Sequence, residues 1–238
     1  MGTNNLTAQD LKKLAEWDTP TICNGLEHLS AEYRVKSFTV EQMQCFDPSL
    51  APIVGYARTA MIRSMSPPEG SPSEIREMRA KYYETVAAKP APSISIIQDL
   101  DPTPGFGAFW GEVNTAIHKG LGCLGVVTNG SFRDIDACAP GFQLLGGKVA
   151  PSHAWVHLVD IECEVNIFGM AVKPNDIIHA DRHGAVVVPD HCVKQLPDAI
   201  DLLTRREAVI LDVARSPDFN VEILKNCLLY TSPSPRDS

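Results

Sequence analysis

The segment of residues 93–130 constrains the fold of this chain more than any other part of it. It contains two runs of apolar and β-branched residues, SISIIQD and CLGVVTNG, with a short predicted helix, GEVNTAIHKG, between them. Uninterrupted apolar runs of this length are typical of strands that are buried on both faces of a sheet. The pattern predicts a β-α-β unit in which the helix ends at Gly120 and the second strand ends in a turn at Gly130.

The rest of the chain surrounds this unit with helices and short strands. Thr7 and Asp18 are placed to cap two successive N-terminal helices, with Pro20 in the first turn of the second. Residues 53–64 read as a strand and SEIREMRAKYYETVAAK as a charged amphipathic helix. Short strands separated by Gly, Pro, Asn and Asp follow, and one or two helices close the chain. We expect a single α/β domain with a mixed sheet.

The sequence changes character at Leu228. From there LLYTSPSPRDS replaces the apolar pattern of the preceding helix with Ser, Pro and charged residues, a composition that cannot bury a core. We therefore expect the domain to occupy residues 1–227 and residues 228–238 to be a non-native or disordered tail. If the tail is non-native, part of the native C-terminus is missing.

Charge and cysteine content exclude several classes of protein. A formal net charge of −8 provides no basic surface for nucleic acid or for an anionic membrane. No apolar run approaches the roughly 20 residues of a membrane helix, and the N-terminus lacks the apolar core of a signal peptide. Seven cysteines without a C-x-x-C pair do not suit a secreted disulfide framework, so we expect reduced, mostly buried thiols. These features predict a cytoplasmic protein that acts on a small molecule.

The candidate site lies at the two ends of the β-α-β unit. Four residues open the predicted helix, where unused backbone N–H groups can bind a carboxylate: Gly111, Glu112, Val113 and Asn114. Arg133 and Asp134 follow the second strand, and open α/β sheets bind ligands at the ends of their strands. If the strands that precede the two loops are neighbours, Glu112 lies beside the Arg-Asp pair.

This set of groups suits the cleavage of a carbon–carbon bond in a small 2-oxo acid. Cleavage next to the carbonyl leaves an enolate, which a divalent cation chelated by the carboxylate and carbonyl oxygens can stabilise as a Lewis acid. Asp134 would hold the metal, and Arg133 would offer a planar donor fork to the substrate's oxygens. Glu112 would act through water, as an outer ligand of the metal or as a proton shuttle.

The spacing of these residues resembles the signature of the RraA-like family, in which an acidic residue, twenty further residues and an Arg-Asp pair follow in order. Glu112, Arg133 and Asp134 match it, and the flanking GxxGVVTNGSFRD and the later KPNDIIHADRHGAVVVP extend the match over about residues 19–215. Among the departures from the family's pattern are two asparagines. Asn129 stands where an aspartate is common, and Asn175 replaces the usual glycine of Pro-Gly-Asp.

The resemblance implies a compact αββαβ-type sandwich of the swivelling-domain type, assembled into homotrimers or homohexamers with active sites between subunits. The family includes class II 4-hydroxy-4-methyl-2-oxoglutarate aldolases, oxaloacetate decarboxylases and a regulator of ribonuclease activity. In the aldolases, the residues matching Arg133 and the loop Gly111 to Asn114 bind substrate, and the aspartate matching Asp134 ligates Mg²⁺ or Mn²⁺. A metal-dependent lyase that yields pyruvate is therefore implied, and the alternative is a non-catalytic regulator that binds a protein partner such as a ribonuclease.

Histidines near the motif have two interpretations each. His179, Asp181 and His183 alternate, so on a strand they would share one face and could bind zinc. A β-hairpin turn in which Asp181 bonds its own backbone is the favoured interpretation. His153 and His157 share a face in either a helix or a strand, and we expect a buried or interface position rather than a role in substrate selection.

Overall fold

The computed structural model describes residues 6–231, with side chains up to residue 228. Its helices are α1 (Ala8–Leu14), α2 (Thr19–Leu29), α3 (Pro72–Ala87), α4 (Glu112–Gly120), α5 (Leu196–Ala214) and α6 (Val221–Thr231). Its strands are β1 (Gln44–Cys45), β2 (Ile53–Arg63), β3 (Ser93–Asp99), β4 (Ala108–Trp110), β5 (Cys123–Phe132), β6 (Gln143–Val149), β7 (His157–Ile161), β8 (Val165–Ile167), β9 (Met170–Val172), β10 (Ile177–Asp181) and β11 (Gly184–Val188).

Nine of these strands form one mixed sheet. The order along it is β1-β6-β5-β3-β2-β10-β11, and its centre, from β6 to β2, is parallel. Antiparallel strands extend both sides, with β1 on β6 and β10 on β2, while β7 pairs with the far end of β2. The short β4 pairs in parallel with the end of β5, and β8 and β9 form a separate hairpin. The predicted α/β fold with a mixed sheet is confirmed.

The two N-terminal helices begin at the predicted caps. The Thr7 hydroxyl accepts the Asp10 N–H at 3.2 Å, and the Asp18 carboxylate accepts the Thr21 N–H at 2.9 Å. Pro20 lies in the first turn of α2, where its missing N–H costs no helical hydrogen bond. Local cap hydrogen bonds therefore mark both helix starts.

The β10–β11 hairpin ties these helices to the sheet. Asp181 Oδ1 accepts the His183 N–H at 2.8 Å, which confirms the predicted turn, and Asp181 Oδ2 accepts the Thr19 N–H at 2.9 Å. His179 is buried, its Nδ1 lies 3.0 Å from Thr19 Oγ1, and burial lowers its pKa. Because the structure shows no group of three metal-ligating side chains in residues 6–228, these residues anchor α2 rather than a zinc ion.

Two features of the β-α-β unit differ from the prediction. β5 does not end at Gly130 but continues to Phe132, and the residues expected to form a turn form a register shift between Thr128 and Ser131. The Gly130 N–H donates to Thr128 Oγ1 at 2.9 Å, which satisfies the N–H within the bulge. The short strand β4 was not predicted, because three residues carry no measurable periodicity.

The last helix and the thiols bear on two further expectations. Helix α6 continues to Thr231, so the predicted boundary at Leu228 falls inside a helix, and residues 232–238 lie outside the described residues. No disulfide forms in the described part of the chain, but only Cys123 and Cys192 are buried and the other five cysteines are partly exposed. The expectation of mostly buried thiols is therefore wrong. None of the helices in residues 6–231 is long and apolar enough to span a membrane.

Candidate functional site

The candidate site is built on the first turn of α4. Gly111 precedes the helix in an extended conformation, and the first helical hydrogen bond runs from the Thr115 N–H to the Gly111 carbonyl at 3.0 Å. The N–H groups of Glu112, Val113 and Asn114 precede that bond, so the helix itself does not use them. Together with the positive end of the helix dipole, they form a place where an anion can bind.

Arg133 and Asp134 lie beside this turn because β4 and β5 are neighbours. The Arg133 N–H donates to the Trp110 carbonyl at 2.9 Å, which joins the two loops directly after the strands end. Arg133 Nε lies 3.2 Å from Asp134 Oδ2, and both side chains are partly exposed. The pairing uses Nε, and Arg133 has no ion pair through its terminal guanidinium nitrogens among residues 6–228.

Asp134 has an unusual backbone conformation. Its φ of 52° and ψ of 39° lie in the left-handed region, which costs a non-glycine residue about 1–2 kcal/mol. Strained residues of this kind are concentrated at functional sites, where the surrounding structure over-determines them. The conformation directs the Asp134 carboxylate back toward Gly111 rather than along the following 3₁₀ turn.

Gly111 is the residue that makes room for this carboxylate. A Cβ atom at position 111 would lie 2.7 Å from Asp134 Oδ2 and 3.2 Å from Arg133 Cγ, closer than van der Waals contact allows. The φ of Gly111 is −171°, an extended value that any residue adopts, so the requirement is for space rather than for backbone freedom. Glycine is therefore needed here for the close approach of the Arg-Asp pair.

All of the predicted site residues line one cleft of about 290 Å³. They are Gly111, Glu112, Val113, Asn114, Arg133 and Asp134. The cleft opens at the carboxyl ends of the parallel strands β4 and β5, which is the usual ligand position in open α/β sheets. His153 also lines it, whereas His157 lines a neighbouring cleft between α3 and β7. The two histidines therefore face different spaces, and both are partly or fully exposed rather than buried.

Buried polar contacts hold the first turn of α4 in place, and the sequence did not reveal them. Tyr83 on α3 donates its hydroxyl to Asn114 Oδ1 at 2.9 Å, and Asn114 Nδ2 donates to the Phe109 carbonyl. His118 Nδ1 lies 2.6 Å from the Asn114 carbonyl and His118 Nε2 lies 3.0 Å from the Tyr82 hydroxyl. Since a carbonyl can only accept, Nδ1 carries the proton and Nε2 accepts from Tyr82.

The loop before β4 is held by a pair of buried aspartates. Asp101 Oδ2 accepts the Ser64 N–H at 2.6 Å and the Ser64 hydroxyl at 2.7 Å, and the same hydroxyl accepts the Gly107 N–H at 2.9 Å. Asp99 Oδ2 accepts the Gly105 N–H at 2.7 Å, and burial raises the Asp99 pKa. These bonds fix the loop that precedes β4 and leads to the site. No periodic pattern in the sequence predicts them.

The acid stability of the protein is expected to depend on His118. Burial lowers its pKa from 6.5 to about 4, so the unfolded chain binds this proton at a higher pH than the folded chain does. The stabilisation is complete above pH 6.5 and is lost as the pH falls to about 4, an effect of about 3 kcal/mol on the free energy of unfolding. Urea denaturation from pH 7 to pH 4 measures it.

A non-titrating variant separates His118 from the other acid-sensitive groups. His118→Gln offers both a donor and an acceptor, so we expect its unfolding free energy to fall less steeply between pH 6.5 and 4 than that of the wild type. His28→Gln, at an exposed position on α2, is the matched control and should keep the wild-type slope. Equal slopes in all three proteins would contradict the role of His118.

The donor set fits a hard divalent cation. Mg²⁺ is usually bound by one or two carboxylates together with several waters and substrate oxygens, and it does not need a cage of protein ligands. Asp134 supplies one partly exposed carboxylate, and Glu112 lies on the same cleft. In residues 6–228 no group of three His, Cys, Asp or Glu side chains is placed to hold a metal ion, so waters and substrate oxygens would supply the remaining ligands.

A sequence model described as RraA-like, Aldolase/RraA, matches residues 19–187 of the chain. The chain belongs to the RraA-like family. This family includes aldolase and decarboxylase enzymes as well as RraA regulators, so membership gives the fold and leaves two classes of function. Curated relatives match part of the chain. The uncharacterized protein MJ0644 of Methanocaldococcus jannaschii is 33% identical over 96 residues, which are 40% of this chain and 45% of that protein. The RraA-like chain spans less than half the length of the curated relatives that it matches.

Solved structures share the RraA-like fold. An uncharacterized protein from Pseudomonas syringae pv. tomato superposes with a TM-score of 0.70 at 18% identity, covering 97% of both chains. Streptomyces coelicolor RraAS2, described as an unusual member of the RNase ES inhibitor RraA protein family, superposes with a TM-score of 0.64 at 20% identity, covering 87% of this chain and 96% of that chain. At these identities the likeness shows the fold alone.

The two asparagines that depart from the RraA-like pattern have structural explanations. Asn129 Oδ1 accepts the Asp99 N–H at 2.7 Å and Nδ2 donates to the Asp99 carbonyl at 3.0 Å, a double contact that an aspartate could not make. Asn175 has a φ of 68°, and asparagine is among the few residues that adopt left-handed conformations readily. Its Oδ1 also accepts from the buried Arg58. Both departures therefore lie in the scaffold rather than among the residues that line the cleft.

Proposed function

We propose that this RraA-like protein is a divalent-metal-dependent lyase that cleaves a carbon–carbon bond of a small 2-oxo acid and releases pyruvate. The observation that carries the proposal is the single cleft in which Arg133, Asp134 and the first turn of α4 face the same space. Retro-aldol cleavage of 4-hydroxy-4-methyl-2-oxoglutarate and decarboxylation of oxaloacetate are both included, because each produces the enolate of pyruvate.

Two groups of donors would bind the 2-oxo acid. The N–H groups of Glu112, Val113 and Asn114 would receive its carboxylate at the positive end of α4. Arg133 would donate from its terminal nitrogens to the oxygen that gains negative charge, while Nε keeps the guanidinium plane fixed against Asp134. Donors that are already in place when this charge develops lower the barrier without further reorganisation.

Asp134 would hold Mg²⁺ or Mn²⁺, which when bound supplies Lewis-acid stabilisation of negative charge on the substrate's oxygens. The strained backbone of Asp134 and the absence of a side chain at Gly111 keep the carboxylate next to the amides of α4. The position of the carboxylate is therefore set before a ligand arrives.

The bond changes balance for both substrates. In the retro-aldol reaction the C4 hydroxyl loses its proton, the C3–C4 bond breaks, C4 becomes the keto carbon of one pyruvate, and the bonding electrons form the enolate of another. In the decarboxylation the bond to the distal carboxylate breaks, CO₂ departs, and the bonding electrons form the same enolate. Glu112, which is exposed at the edge of the cleft, would exchange these protons with water, and protonation at carbon gives pyruvate.

Pyruvate release tests this proposal. The protein is stripped with a chelator and then assayed on oxaloacetate and on 4-hydroxy-4-methyl-2-oxoglutarate with and without added Mg²⁺ or Mn²⁺. We expect turnover that the chelator abolishes and the metal restores, and the ratio of the two rates ranks decarboxylase against aldolase. Absence of turnover with both substrates would contradict the lyase and favour the regulatory role that the family also includes.

We also propose a homotrimer or homohexamer. Several large apolar side chains are exposed, including Val113 at 69%, Trp155 at 59% and Phe106 at 52%, and Val113 lines the cleft itself. Exposed apolar surface of this kind is what a subunit interface would bury. Sedimentation velocity is expected to give three or six times the chain mass of 25.9 kDa, and a monomer would contradict it. The cytoplasmic location and the lack of nucleic-acid or membrane partners, expected from composition, stay predictions.

A further inference from the structure

Arg79 is a second guanidinium on the cleft that holds the proposed site. It stands on α3, is exposed, and lines the cleft together with Arg133. Arg133 is paired with Asp134, whereas the structure shows no carboxylate of residues 6–228 within ion-pair distance of Arg79. The cleft therefore presents one arginine that is held by a neighbouring carboxylate and one that can pair with a ligand.

The position of Arg79 relative to the site is set by contacts between α3 and α4. Tyr83 donates to Asn114 Oδ1 at 2.9 Å, and the buried Tyr82 hydroxyl lies 3.0 Å from His118 Nε2. Residues four apart lie on the same face of a helix, so Arg79 stands one turn from Tyr83 on the side that meets the start of α4. Burial raises the pKa of Tyr83 and the charge of Arg79 opposes this, which agrees with their closeness.

The remaining lining of the cleft limits the kind of ligand that Arg79 can bind. Ala108, Phe109 and Val156 are apolar members of this lining, and His153 lines the cleft as well. A volume of about 290 Å³ is near the lower end of the range of small-molecule sites, so the ligand has few atoms. The planar donor fork of arginine matches a carboxylate. A small acid whose first carboxylate is bound at the start of α4 keeps its second carboxylate inside the same cleft.

We propose that Arg79 is a specificity-determining residue that binds the substrate's carboxylate farther from the 2-oxo group. The inference rests on the proposed lyase function and deepens it. Arg79 then selects dicarboxylic 2-oxo acids, because a monocarboxylic acid that occupies the α4 end leaves this arginine without a partner. In 4-hydroxy-4-methyl-2-oxoglutarate this carboxylate is kept throughout the retro-aldol cleavage, so Arg79 binds it away from the bond that breaks, whereas in oxaloacetate the same carboxylate leaves as CO₂.

A comparison of two arginine variants on α3 tests the assignment. Arg79→Met removes the charge and keeps much of the side chain's volume, and Arg76→Met, at an exposed position outside the cleft, is the matched control. The first readout is kcat/KM for the retro-aldol cleavage of 4-hydroxy-4-methyl-2-oxoglutarate, which keeps its distal carboxylate throughout the reaction. The second is the exchange of pyruvate methyl protons with deuterated water, which needs the same enolate but offers no second carboxylate.

We expect Arg79→Met to lower kcat/KM for 4-hydroxy-4-methyl-2-oxoglutarate about 10- to 100-fold, mainly through KM, since one charge-assisted pair with a carboxylate that stays charged is lost. Pyruvate exchange should be unchanged in the same variant, and Arg76→Met should change neither readout. Equal losses on both compounds, or no loss on 4-hydroxy-4-methyl-2-oxoglutarate, would overturn the role of Arg79 and leave the lyase standing. Wild-type protein that turns over neither compound would overturn the lyase and the Arg79 assignment with it.

Discussion

Asp134→Asn is expected to lower kcat about 100- to 1,000-fold at saturating metal while the protein folds normally. Asparagine has the shape of aspartate and adopts the left-handed backbone conformation of residue 134, so the loop is not strained further. The lost ion pair with Arg133 is partly exposed and costs the fold about 0–1 kcal/mol. What the variant lacks is the negative charge that would hold the divalent cation.

Two measurements separate this effect from a general loss of structure. Mn²⁺ binding, followed by the electron paramagnetic resonance signal of the unbound ion, should weaken in Asp134→Asn, and thermal unfolding should change little. Asp136→Asn is the matched control, because Asp136 is an exposed aspartate two residues further on that does not line the cleft. Wild-type activity in Asp134→Asn, or an equal loss in Asp136→Asn, would show that Asp134 is not the metal ligand.

Gly111→Ala is expected to lower kcat/KM about 100-fold with little change in folding. The added Cβ would come within 2.7 Å of Asp134 Oδ2, and both side chains of the Arg-Asp pair are partly exposed and can move away. Movement of a catalytic group by about 1 Å costs roughly that factor in rate. Since the backbone of Gly111 is extended, alanine adds no dihedral strain and the fold is preserved.

Gly120→Ala is the control for this substitution. Gly120 ends the same helix, and no atom lies within 4 Å of the position of an added Cβ. We expect Gly120→Ala to keep the wild-type kcat/KM. Steady-state kinetics and melting temperatures of Gly111→Ala and Gly120→Ala measure the difference between the two variants. If Gly111→Ala is as active as the wild type, the close packing of Gly111 against the Arg-Asp pair has no bearing on catalysis.

The elements that could be predicted from sequence are those fixed by local chemistry or long apolar runs. The caps at Thr7 and Asp18 lie where their hydroxyl and carboxylate can reach the following N–H groups, and the structure shows these bonds. The strands β3 and β5 are uninterrupted apolar runs, and their position beside each other follows from the β-α-β order. The spacing between Glu112 and Arg133 is a feature of the chain itself, so the motif could be identified before the fold was known.

The remaining features of the site depend on contacts between distant residues. Arg79 reaches the cleft only because α3 packs against α4, and no periodic pattern links position 79 with position 133. The left-handed conformation of Asp134 is one that aspartate adopts more readily than most residues, but no pattern in the sequence predicts it at this position. The buried contact between His118 and the Asn114 carbonyl lies inside one helix, yet its importance depends on Tyr82 from another.

The central claim is that Asp134 and Arg133 stabilise the enolate of a 2-oxo acid with the help of a divalent cation. The exchange of pyruvate methyl protons in deuterated water tests this claim most directly. Proton NMR of wild-type protein should show loss of the methyl signal that depends on Mg²⁺ or Mn²⁺, stops with a chelator and is absent in Asp134→Asn. Exchange that is no faster than in a protein-free solution containing the same metal would contradict the claim.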